Sequence, residues 1–138
     1  MIEQASLDYS EARKAIDTIH QEIVRRGKAA VIVAVDAHGE LIAMARMDGA
    51  PLTSIAIAMN KAYTAARLQK PSREVGDRVR HPENGHDICY YSDPRIVGWG
   101  GGVPVRRNGR VIGAVAVSGL PEAEDMEVVA LGVAALGG

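Results

Sequence analysis

The chain has 138 residues, of which 47% are hydrophobic and 24% charged, with 16 Lys and Arg against 17 Asp and Glu for a formal net charge of -1. That length suits one domain spanning residues 1–138, and the apolar fraction is enough to close a core, which excludes a disordered chain. The balanced charge gives a polyanion no general attraction, so nucleic acid is not an expected partner.

With no Phe, one Trp and four Tyr, the core must be aliphatic. The single cysteine, Cys89, permits no disulfide within one chain and suits a reducing compartment. The opening "MIEQASLDYSEARKAID" lacks the basic-then-apolar order of a signal peptide, and no apolar run approaches the ~20 residues of a membrane helix. A soluble cytoplasmic protein with no membrane partner is expected.

In chain order, residues 6–27 read as a helix capped by Ser6 or Asp8. Ala12, Ile16, Ile19 and Ile23 form its buried stripe and Gly27 stops it. "AAVIVAVD" (29–36) is a strand covered on both faces, and "LIAMARMD" (41–48) returns as its hairpin partner. The Ala-rich segment 53–68 is the strongest helix, followed by a short helix in "SREVGDRVRH" and a polar loop over 81–93. "RIVGW" (95–99) is a further predicted strand, and "VPVRRNGRVIGAVAVSG" is a hairpin turning at Asn108-Gly109. "LPEAEDMEVVALGVAAL" closes the chain as a helix, Pro121 and its acids suiting the first turn. The element order predicts an α+β domain with one antiparallel sheet of about five strands between helices.

Gly100, Gly101 and Gly102 place bare backbone in succession, with Gly113 and Gly119 on the following strand. Without Cβ atoms such a segment admits a ligand or another backbone to contact distance, and the adjacent start of the last helix favours anions. The expectation is a concavity near 100–102 and 119 that receives a carboxylate or propionate. A bulge or a packing seam is the alternative reading.

"MDGAPLTSIAIAMNKAYTAA", "DPRIVGWGGGVPVRRNGRVIGAVAVSG" and an acidic last helix with Asp125 together resemble the GlcG/HbpS family, which includes the C-terminal domain of PduO-type proteins. The likeness covers nearly the whole chain in the same order. It implies a profilin-like α/β/α sandwich, self-association as dimers that build tetramers or octamers, and in several members haem binding. Two departures stand out: Leu120-Pro121 follows Ser118-Gly119 where the family has Gly-Thr, and the loop before "DPRIVGW" carries His81, Glu83, His86, Asp87 and Cys89.

Several residues are candidates for chemistry. His20, beside the isoleucine stripe, resembles the axial histidine of PduO-type domains, and a neutral imidazole is a normal iron ligand. His81, His86 and Cys89 are candidate ligands for a divalent metal, with a solvated loop or a general base, His86, as the alternatives. Lys61, inside an apolar helical run, either snorkels to solvent or pairs with an acid such as Asp48, with Arg46 and Asp125 in the same candidate cluster, and if buried can act as acid, base or carboxylate anchor. Lys61, His86 and Asp48 are thus the catalytic candidates. Candidate ligand contacts are His20, Asn60, Trp99, Gly100, Gly101, Gly102, Ser118, Gly119 and Asp125. The leading expectation is a small-molecule-binding protein for haem or a related tetrapyrrole, in sensing or turnover. The other is an enzyme, an isomerase, hydrolase or lyase in a catabolic operon, acting on a small oxygenated acid through the 81–89 loop and a Gly-rich pocket.

Overall fold

The computed structural model describes residues 1–137. The first helix, α1 (Tyr9–Arg25), begins where the Asp8 carboxylate accepts the Glu11 N–H at 2.8 Å, and it buries Ala12, Ala15, Ile16, Ile19 and Ile23. Strands β1 (Val31–Asp36) and β2 (Leu41–Arg46) form the expected hairpin, its turn held by Asp36 Oδ1, which accepts the His38 and Glu40 N–H groups. Next come α2 (Ser54–Leu68), α3 (Ser72–Val79) and a single 3-10 turn at Ile88–Tyr91. Strands β3 (Gly102–Arg107) and β4 (Arg110–Ser118) are joined through Asn108 and Gly109, both at positive φ as a two-residue hairpin turn requires. The last helix, α4 (Glu122–Ala135), follows Pro121.

All pairings are antiparallel, in the order β2-β1-β4-β3. Alternate residues of the central strands face opposite helical layers. Ile32, Ala34, Val115 and Val117 pack with α1 and α4, while Val31, Val33, Ala114 and Ala116 pack with Ala58, Ala62, Ala65 and Ala66 of α2. This is the expected α+β sandwich, with helices on both faces of one sheet.

Among the described residues the sheet has four strands, not about five, because residues 95–99 do not pair. Their backbone finds side-chain partners instead. Thr64 Oγ1 donates to the Arg95 carbonyl at 3.2 Å and accepts the Val97 N–H at 3.0 Å, and Ile96 is buried against Tyr63 and Val75. Gly98 meets Gly76 of α3 so closely that a side chain on either would clash with the other's backbone. An apolar run that resembled a strand is therefore a strap across α2 and α3.

Candidate functional site

The alanines of α2 bring that helix down onto the sheet, and Lys61 lies on its inner face with no exposed surface. Its Nζ donates to the Val117 carbonyl at 2.9 Å and to Asp125 Oδ2 at 3.1 Å. Asp125 Oδ1 in turn accepts the Leu120 N–H at 3.1 Å. This side chain thus binds the turn between β4 and α4. Burial pushes the Lys61 ammonium down and the Asp125 carboxyl up, and the attraction between them opposes both shifts. The acid beside Lys61 is Asp125 rather than Asp48, which is exposed in the turn after β2.

The glycine stretch is occupied by this pair. At Gly101, φ is +123° and a Cβ would lie 2.6 Å from the Val117 carbonyl oxygen, 2.9 Å from Lys61 Nζ and 3.1 Å from the Asp125 Cβ. A Cβ on Gly102 would overlap the Lys61 backbone, and one on Gly100 would lie 2.5 Å from Met126 Sδ. The hollow expected over 100–102 is filled by the chain itself; bare backbone is needed there so that α2, α4 and β3 can converge. At the far end Gly119, with φ +128°, packs against Ala30 and Pro51, and the buried Ser118 hydroxyl donates to Ser54 Oγ at 3.3 Å.

Outside this packed centre, Trp99 is 60% exposed and shares a cleft of about 300 Å³ with Arg80 and Glu122. Asn60 lies on α2 beside a smaller cavity of about 70 Å³ that Met59, Tyr63 and Arg95 also line. Tyr63 was not singled out by the sequence, yet its hydroxyl donates to Asp93 Oδ2 and accepts from Arg95 Nη2, whose guanidinium lies 3.8 Å over the ring. The pattern "DPR" near a distant tyrosine carries no local signal of such a cluster. His20 is exposed on α1, and among the described residues its ring takes part in no hydrogen bond.

The 81–89 loop does not bring its candidate metal ligands together. His81 Nδ1 accepts the Glu83 and Asn84 N–H groups at 3.2 and 3.0 Å, and His86 Nδ1 lies 2.9 Å from the Asp87 carbonyl while its ring stacks on Tyr90. Cys89 is exposed, and its hydrogen bond with Asp87 pushes the thiol up, away from the thiolate that binds metal. Among the described residues, no three His, Cys, Asp or Glu side chains are grouped to hold an ion. The physical reason is that this loop satisfies its own backbone with its imidazole and carboxylate atoms.

Among the described residues no helix is long and apolar enough to cross a membrane. Residues 7–134 match the family model described as haem degrading protein HbpS-like. The 15.0 kDa protein of the dhaT-dhaS intergenic region of Citrobacter freundii is 37% identical, over 83% of this chain and 81% of that one. GlcG of Escherichia coli is 34% identical over 75% of each chain. Corrinoid adenosyltransferase PduO of Salmonella typhimurium is 31% identical over 77% of this chain but only 32% of its own length. Among solved structures, protein ORFY of Klebsiella pneumoniae superposes with a TM-score of 0.93 at 26% identity, covering 99% of this chain and 94% of that one. The haem complex of PduOC superposes with a TM-score of 0.88 at 26% identity, covering 95% of each chain. By sequence and fold together, the chain belongs to the HbpS-like family.

Proposed function

We propose that this protein binds haem or a related tetrapyrrole, which the His20 imidazole would hold through its metal, and that the binding serves tetrapyrrole sensing or turnover. The observation that carries this reading is the free, exposed imidazole on α1 in a fold shared, at a TM-score of 0.88, with a haem complex. The residues fit the group as an open half-site. Val24, 55% exposed, follows His20 by one helical turn, giving an apolar contact beside the nitrogen ligand. When bound, haem supplies an iron centre capable of redox chemistry. The chain's own part would be to offer the His20 imidazole to the iron, with Val24 as an apolar contact beside it. A helix surface covers only one face of a flat ligand, so a second copy of the chain supplies the other wall, in keeping with self-association into dimers or larger even-numbered assemblies.

The alternative, an enzyme for a small oxygenated acid, has less support, because Gly100, Gly101 and Gly102 are covered and His81, His86 and Cys89 do not converge. Hemin titration into the purified protein is expected to give a saturable Soret shift, weakened at least tenfold in His20→Ala, together with an increase in assembly size. A flat titration, or an unchanged one in His20→Ala, overturns the assignment.

A further inference from the structure

The single tryptophan is held as if for display. Its main chain is fixed from three sides. Ser72 Oγ donates to the Trp99 carbonyl at 2.6 Å and accepts the Gly102 N–H at 2.9 Å. Glu122 Oε2 accepts the Gly100 N–H at 2.6 Å. The Gly76–Gly98 contact seats the preceding residues on α3. Ser72 is itself fully buried. A rigid backbone thus presents an indole that stays 60% exposed, although a side chain of that size normally gives much apolar area to a core.

Arg80 is its neighbour in the cleft. The guanidinium lies against Gly76 and Gly98, and a Cβ on Gly98 would lie 3.7 Å from its Nη1. Its ion-pair contact is to Asp77 at 3.8 Å, and among the described residues the guanidinium donates no hydrogen bond. Asp77 is engaged elsewhere, accepting from Arg73 Nε at 3.0 Å. Glu122, on the third wall, is likewise occupied by Arg73 at 3.3 Å and by the Gly100 N–H. Arg73 therefore holds both acids more closely, leaving the Arg80 guanidinium with one 3.8 Å contact to Asp77 and no hydrogen bond, in the same cleft as the exposed indole.

We propose that this cleft binds a small aromatic carboxylate, its ring stacked on Trp99 and its carboxylate held by the Arg80 guanidinium. A flat π-face and a planar fork of N–H donors are complementary to those two parts of such a molecule. The volume of about 300 Å³ suits one or two rings and is too small to enclose a tetrapyrrole. The site is independent of the His20 reading.

Because Trp99 is the only tryptophan, its indole N–H gives one cross-peak in a ¹⁵N-correlated NMR spectrum and reports on this cleft alone. Benzoate and 2-naphthoate are expected to shift that peak saturably, the larger ring more tightly, whereas benzamide and cyclohexanecarboxylate, each lacking one of the two features, bind at least tenfold more weakly. Arg80→Gln, at an exposed position, is expected to keep the dispersed spectrum of the folded chain and lose about tenfold in affinity for 2-naphthoate. No shift with either aromatic carboxylate up to millimolar concentration, an equal response to benzamide, or unchanged affinity in Arg80→Gln overturns the proposal.

Discussion

Lys61 Nζ and Asp125 Oδ2 lie 3.1 Å apart with their side chains only 1% and 3% exposed, joining α2 to α4 through the interior of the molecule. Two charges removed from water stabilise a fold only when both remain matched, and here the match is completed by the Val117 carbonyl and the Leu120 N–H.

Removing one partner is therefore expected to be costly, and removing both much less so. Lys61→Met and Asp125→Leu should each destabilise by about 3–5 kcal/mol, because the remaining ionisable group is left buried and unpaired. The double variant should recover much of that loss, giving a large coupling in a double-mutant cycle of urea unfolding. Additive losses would mean that the two side chains act separately.

Gly101 and Gly109 both have positive φ, yet they should respond differently to a methyl group. At Gly109 nothing lies within 4 Å of an added Cβ, so Gly109→Ala carries only the backbone strain, about 1 kcal/mol. At Gly101 the same methyl meets Lys61, Val117 and Asp125, and the loss should exceed about 2–3 kcal/mol. Chemical denaturation of the two variants side by side tests the ordering.

Glu22 is flanked by Arg25 and Arg26, whose hydrogen bonds hold its carboxyl down to about 2 from an ordinary 4.5. A lowered folded-state value means that the unfolded chain takes up the proton first as pH falls. The contribution is thus complete above pH 4.5 and disappears as pH drops toward 2. Wild type and Glu22→Gln should differ in stability at neutral pH and converge across that window, with ¹³C-detected titration of Glu22 giving its midpoint directly.

Tyr63 carries its hydroxyl between Asp93 and Arg95. Tyr63→Phe leaves the ring and its guanidinium contact in place but removes the bridge, and should cost about 1–2 kcal/mol. Because that bridge anchors residues 93–97, hydrogen exchange at the Val97 amide should accelerate more than at the central strand β4.

The helices and the two hairpins were legible in the sequence because each is encoded locally. The α1 stripe follows a helical period, Asp8 caps it, and Asn108-Gly109 supplies the positive φ that its turn needs. Segment 95–99 misled for a related reason: "RIVGW" has the composition of a strand, but Thr64 and Gly76, remote in sequence, supply what a ladder partner would have supplied. Likewise His81, His86 and Cys89 are near in sequence and separate in purpose, since their atoms serve the loop's own backbone. Lys61 was recognisable as unusual within an apolar helix, and Asp48 and Asp125 as acids of its cluster, but nothing local chose between the two.

By itself the sequence determined the layered α+β sandwich, the aliphatic core and the family, all of which rest on periodicity, capping and short motifs that act within a few residues. Only the tertiary structure decided that Asp125 rather than Asp48 meets Lys61, that the three glycines close around that pair instead of opening a hollow, and that Trp99 stands exposed beside Arg80. The physical reason is distance along the chain: burial, charge pairing and close backbone approach depend on which remote segments meet, and no local pattern specifies that.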